Sequence, residues 1–260
     1  TVLTTISGNN ISLIGESIDN TIIVNKPEVE GIGATATILN TSKILYIQDL
    51  TLQNAYDYYN AKDAGRAVCL QDRGTQTICK KVKMLSYQDT YYSNDPQGKG
   101  QYYFEDSEIH GTVDYICGGG DAYFNRVLLV NESRSASGKS GDDVIAAPNS
   151  KSDWGYIFKD CTIENKAAKF SLGRSWDYIT RLTWLNTTIN QKDEIIDDGK
   201  KVAFVRIADE NIVASPVLLE IWRQEQMAQT VMHYTSTEQA FIAVMKANPQ
   251  STLNRLVRLS

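Results

Sequence analysis

Apolar and polar residues alternate with a period of two along residues 1–190, in short runs rather than long amphipathic stretches. The runs TIIVN, TATILN, ILYIQDLTLQN, TICKKVKML, QYYFEDSEI, AYFNRVLLV, WGYIFKDCTI and RLTWLNTTI are rich in β-branched and aromatic residues, with Gly, Asn, Asp and Ser between them. Such alternation sends one set of side chains to each face of a pleated strand, so it predicts strands throughout this region. Residues 191–260 read differently. DEIIDDGKK is polar and acidic, and SPVLLEIWRQEQMAQTVMHY predicts a helix with Pro216 near its first turn. Ser236-Thr-Glu-Gln239 has the form of a capping box ahead of AFIAVMKA, which Asn248-Pro249 ends.

The strand region also repeats. An apolar-x-polar-x-x-apolar unit reads Ile47-Gln-Asp49-Leu-Thr-Leu52, Cys79-Lys-Lys81-Val-Lys-Met84, Phe104-Glu-Asp106-Ser-Glu-Ile109, Phe124-Asn-Arg126-Val-Leu-Leu129, Phe158-Lys-Asp160-Cys-Thr-Ile163 and Trp184-Leu-Asn186-Thr-Thr-Ile189. Successive units start 20 to 34 residues apart. Short strands in units of that size, with loops absorbing the differences, predict an all-β parallel β-helix. The alternative is a β-sandwich, but few Asn-Gly or Asp-Gly hairpin signals are present. The expected division is a β-helix over 1–190 and a C-terminal extension over 191–260. The helical segments of that extension would pack on the solenoid, a second small domain being the alternative.

Composition narrows the classes. The net charge of −5 over 260 residues argues against a nucleic-acid or anionic-membrane surface. No apolar run approaches the ~20 residues that span a bilayer. The chain opens in strand-like sequence with no leader-like stretch, which is expected of a mature or trimmed form. Cys69, Cys79, Cys117 and Cys161 include no C-x-x-C pair, and three lie in apolar contexts. They are expected as buried free thiols, two disulfides being the alternative. With only His110 and His233, neither at ligand spacing to a cysteine, a zinc site is not expected.

HGTVDYICGGG, residues 110–120, sets one acid inside an otherwise strand-like run. Asp114 follows Phe104 by ten residues, and Asp89 follows Cys79 by ten. If the repeat marks register, the two acids hold equivalent places on adjacent coils about 4.8 Å apart, on one outer face. Two carboxyls that close do not both ionise readily, which suits a nucleophile beside a general acid. The alternative is a pair of solvated turn acids. A strand would hold such a nucleophile rigidly. Gln88 adds an amide beside Asp89. Arg174 and Trp176, two apart, would share one side of an extended segment and offer a charge for a carboxylate and a flat face for a sugar ring. Packing is the alternative role of the tryptophan.

Other features of the sequence carry weaker signals. The glycines at 118–120 lead into a strand, not a helix, and read as room for close backbone approach or a turn. SRSASGKS lacks the first glycine of a phosphate loop. His110 reads as structural or exposed. Asn40, Asn131 and Asn186 open glycosylation sequons, which matter only in a eukaryotic secretory context.

YQDTYY, GTVDYICG and LGRSW resemble the Gln-Asp-Thr, Gly-Thr-Val-Asp-Phe-Ile-Phe-Gly and Leu-Gly-Arg-Pro-Trp motifs of pectin methylesterases, in the same order and at similar spacing. The resemblance covers roughly residues 10–190. It implies a right-handed, single-stranded parallel β-helix, a secreted or periplasmic location and no metal or organic cofactor. It further implies removal of methyl esters from homogalacturonan (pectin), with a methylated oligogalacturonide as the molecule bound and a monomer as the working unit. It implies Asp114 as nucleophile, Asp89 as general acid and then base, Gln88 at the oxyanion, Arg174 fixing Asp114, and Trp176 lining a sugar groove. Tyr91, Tyr92 and Tyr115 are expected as groove walls, with packing as the alternative.

The chain also departs from the family. Ser175 replaces proline, Tyr115 stands where Phe is usual, and CGGGD replaces a Phe-Gly-Asn-type continuation. Arg66, in RAVCL, stands where the family has a glutamine that assists the oxyanion. It is expected either to supply that donor or to clamp a neighbouring uronate carboxylate. Its alternative is to point to solvent or to pair with Asp63 or Asp72 and contribute little. Two rival functions remain on these residues. A β-helical lyase or glycosidase would shorten the polymer, and a non-catalytic glycan-binding β-helix would not need Asp89 and Asp114.

Overall fold

The computed structural model describes residues 3–189, apart from 34, 96, 135–140, 150, 151, 153, 175, 177–180 and 186, together with residues 205–207. Among these residues the regular structure is all strand, and every strand pairing is parallel. One seven-stranded sheet stacks Thr4–Ile6, Ile38–Asn40, Leu70–Asp72, Tyr91–Ser93, Ile116–Gly118, Asp143–Pro148 and Phe170–Gly173 in chain order. The thirteen-stranded sheet holds two such stacks. They merge because Ile44–Asn54 and Gln76–Leu85 each run through the corner between them. The chain is a parallel β-helix, each coil contributing a strand to each stack. Val205–Ile207 pairs with Leu182–Leu185, so a further strand lies beyond residue 190. The helices expected within 191–260 fall outside the described residues.

The sequence repeat has a backbone cause. Asp49, Lys81, Asp106, Arg126 and Asp160, the third residues of the first five units, all have φ between 49° and 54°. A left-handed residue there turns the chain from one stack to the next, and Asp is among the residues that tolerate this conformation. The same unit places its apolar residues inward. Ile47, Cys79, Phe104, Phe124, Phe158 and Trp184 lie in register on successive coils. The Phe104, Phe124, Phe158 and Trp184 rings stack at centroid separations of 4.7, 4.5 and 4.1 Å. All four cysteines are buried free thiols, as their contexts predicted.

Phe124 lies in the middle of this stack with no exposed surface. Phe124→Ala removes a ring from between two others and leaves a cavity that a stacked backbone cannot close. It is expected to destabilise the fold by about 3–5 kcal/mol in chemical denaturation.

Candidate active site

Asp89 and Asp114 occupy the same corner on adjacent coils. Tyr91 pairs with Ile116, two residues beyond each acid, and the Asp89 amide donates to the Val113 carbonyl at 3.2 Å. Neither acid lies on a strand. Asp114 is in the bend between Glu108–Gly111 and Ile116–Gly118, and Asp89 is in the turn before Tyr91–Ser93. Both are left-handed, with φ of 59° at Asp89 and 50° at Asp114. The expected strand placement of Asp114 is therefore corrected. Hydrogen-bonded coils on either side fix the corner, so rigidity comes from neighbours rather than from strand geometry.

The two environments differ. Asp89 is only 5% exposed. Burial first, and then the negative charge of Asp114, push its carboxyl up to about 8, against an opposing pull from Arg66. At neutral pH Asp89 thus carries a proton. Asp114 meets Arg174 at two points, Nε to Oδ1 at 2.8 Å and Nη2 to Oδ2 at 2.7 Å. A fork of this kind binds a carboxylate. Arg174 comes from the end of strand Phe170–Gly173, where its amide donates to Ala146 at 2.8 Å. One protonated acid thus stands beside one ion-paired carboxylate.

Gln88 and Arg66 pair as a parallel bridge on adjacent coils, which brings both beside Asp89. The Arg66 guanidinium is held by Glu30, not by Asp63 or Asp72 as the alternative had it. Asp72 is fully buried and accepts from Asn40 and from the Gly74 amide instead. Trp176 is 44% exposed and tilts against Tyr92, with ring centroids 6.1 Å apart. Tyr92 is half-buried, so these two rings form one wall.

Tyr91 and Tyr115 do not line the groove: both are fully buried. The Tyr91 ring meets Phe104 edge-on at 4.8 Å. Tyr115 directly follows Asp114 and points inward, where its hydroxyl donates to Asn131 Oδ1 at 2.9 Å. Two neighbours carried no sequence signal, Glu30 in the KPEVEG loop and Cys117. The Cys117 thiol hydrogen-bonds with Asp89, and burial pushes it well above the usual thiol range. A side chain at Gly118 would collide with the Ser93 carbonyl, which accounts for the start of the glycine run. His110 lies apart from the acids, between Glu132 at 2.6 Å and Glu108 at 2.5 Å. Burial opposes its charge, but these two carboxylates outweigh burial and raise its pKa.

Comparison with known proteins matches this geometry to one family. The sequence profile of the family described as Pectinesterase matches residues 1–200. Pectinesterase B of Dickeya dadantii is 31% identical over 160 residues, 55% of this chain and 36% of that protein. Pectinesterase B of Pectobacterium parmentieri is 28% identical over 165 residues, 57% of this chain and 40% of that protein. The chain thus spans well under half the length of these two relatives. Among solved structures, pectin methylesterase PemA from Erwinia chrysanthemi superposes with a TM-score of 0.64 at 28% identity, covering 75% of this chain and 68% of its own. A pectin methylesterase in complex with a hexasaccharide gives a TM-score of 0.64 at 27% identity, with the same coverage. With a matched profile over most of its length and the same β-helix, the chain belongs to the pectinesterase family.

Proposed function

We propose that this chain is a carboxylic ester hydrolase that removes methyl groups from methyl-esterified homogalacturonan and releases methanol. The observation that carries this reading is the asymmetric acid pair, Asp89 protonated by its burial and Asp114 held by Arg174. Asp114 attacks the ester carbonyl carbon. The charge that develops on the carbonyl oxygen is met by the Gln88 amide, with Arg66 beside it. Asp89 gives its proton to the departing methoxide oxygen, and methanol leaves. The acyl group now sits on Asp114 as an anhydride. Asp89, ionised, takes a proton from water, the water oxygen attacks the acyl carbon, and the C–O bond to Asp114 breaks. The product leaves as the free acid and ionises to the uronate in solvent, and both acids return to their starting states.

The related pectin methylesterase solved with a hexasaccharide supports a polymeric sugar as the molecule bound. Trp176 and Tyr92 supply a wall for it. All the proposed groups come from one chain, so a monomer suffices, and a cell-wall polymer as substrate places the protein outside the cytoplasm. No step requires a metal or an organic cofactor.

The test is product analysis on highly methylated pectin. Methanol should appear while the polymer keeps its length. Shortened chains without methanol would point to a lyase or a paired-acid glycosidase instead. Trp176→Ala should weaken binding by about 1–3 kcal/mol, as for loss of an aromatic platform, and raise KM more than it lowers kcat. Unchanged kinetics would leave this ring without a role in substrate contact.

A further inference from the structure

Arg66 is held on three sides by Glu30. Its Nη2 donates to Glu30 Oε1 at 2.6 Å, its Nε donates to Oε2 at 3.0 Å, and its backbone amide donates to the same Oε2 at 2.9 Å. The Gly31 amide closes the clasp by donating to the Arg66 carbonyl at 2.9 Å. Glu30 is the more buried partner, with 13% of its side chain exposed against 42% for Arg66. The pair lies close enough to the reacting acids for Asp89 to feel both charges, in opposite senses.

The charges decide what this corner accepts. An arginine with a free fork beside the reacting acids would attract a uronate carboxylate, which on the reading above is the product. With Glu30 in place, two of the five guanidinium N–H groups are taken and the positive charge is balanced. Arg174 is likewise balanced by Asp114. A free carboxylate entering here would meet two balanced pairs and the like charges of Glu30 and Asp114. A neutral methyl ester meets no such repulsion and can still accept a hydrogen bond from an unused Arg66 N–H.

We propose that Glu30 is a specificity-determining residue: by neutralising Arg66 it makes the position beside the acid pair accept a methyl-esterified uronate and reject a free one. This rests on the ester-hydrolase reading for the identity of the sugar. The substrate is then a run of esterified uronates, and a de-esterified unit is released rather than retained. Discrimination of this kind comes from repulsion of the wrong ligand as much as from attraction of the right one.

The test compares wild type, Glu30→Gln and the double variant Glu30→Gln/Arg66→Gln. Each is titrated calorimetrically at low salt with a methyl-esterified and with a non-esterified oligogalacturonide, all in an Asp89→Asn background that keeps the neutrality of the protonated acid and slows turnover of the ester. Wild type should favour the esterified ligand. Glu30→Gln should tighten binding of the non-esterified ligand by about tenfold, with little change for the esterified one. The double variant restores neutrality and should return to the wild-type preference, which separates charge from any loss of packing. Equal preference in wild type and Glu30→Gln overturns the inference. So does a double variant that binds the non-esterified ligand as tightly as Glu30→Gln, or a wild type that binds neither ligand. Methanol release is scored separately. If the predicted preferences hold without methanol, the hydrolase reading fails and Glu30 keeps its role; methanol without the preferences is the converse.

Discussion

Asp114→Asn is expected to lower methanol release by at least about 10³-fold while the protein stays folded. An amide oxygen is a poor nucleophile, and the neighbouring acids do not take its place, since Asp89 is protonated and buried and both Glu30 oxygens are held by Arg66. The substitution is clean for a backbone reason. Asp114 has φ of 50°, and Asn is one of the few residues that adopts this conformation readily. The cost falls on Arg174, which keeps one oxygen acceptor but loses its ionic partner. With 19% of each side chain exposed, that loss should come to about 1–2 kcal/mol, less than for a fully buried pair. Denaturation of the variant gives the stability term, and methanol assay of the folded protein gives the rate. A folded Asp114→Asn protein with turnover like wild type would exclude a covalent path through this residue.

Asp89→Asn should lower the rate by about 10²–10⁴-fold, the usual contribution of a positioned proton donor. The amide copies the shape and neutrality of the protonated acid without the proton uptake that folding requires of Asp89 above about pH 4, so at neutral pH the variant should be the more stable protein. Its advantage should grow from about pH 4 to about pH 8, where unfolded Asp89 is ionised and folded Asp89 is not, and level off above that. The wild type must then either hold a buried charge or take up a proton to avoid it, and the amide does neither. In sign, a carboxyl whose folded pKa is raised above its unfolded value costs stability as pH rises past the unfolded value, and Asp89→Asn removes that cost. Thermal melts of both proteins between about pH 4 and about pH 9 measure it. A variant that lost stability relative to wild type as pH rose would mean that Asp89 is ionised in the folded protein.

The β-helix was legible because its repeat has a local cause. The third residue of the first five units is the left-handed corner, at Asp49, Lys81, Asp106, Arg126 and Asp160, and the flanking apolar residues stack in register. That register also carried Asp89 and Asp114 to the same corner, since equal offsets from paired residues stay equal across coils. What alternation could not reveal lies where the chain leaves the strand. Tyr115, next to an outward Asp114, faces the core as alternation itself has it, whereas Tyr91, two residues after Asp89, would share that acid's side but for the left-handed turn at Asp89. Tyr91 is inward because it pairs with Leu70 and Ile116. Glu30 was invisible for another reason. Its partner is 36 residues away, on an irregular loop with no period to fix where it points. Cys117 reads in sequence as one more buried thiol, and only the fold sets it against Asp89.

The most direct test of the acid pair is the pH dependence of kcat/KM for methanol release from a soluble methyl-esterified oligogalacturonide, with the enzyme-free rate subtracted at each pH. This parameter reports acylation, the step in which Asp89 must hold its proton and Asp114 must have lost its own. Because the two acids interact, the profile reports apparent values of the pair. For the wild type, kcat/KM should fall as pH rises past about 8, where the buried Asp89 gives up its proton, and Asp89→Asn should show a low rate without that fall. A wild-type kcat/KM that stays level or climbs through about pH 9 would contradict Asp89 as the proton donor and the asymmetric pair with it.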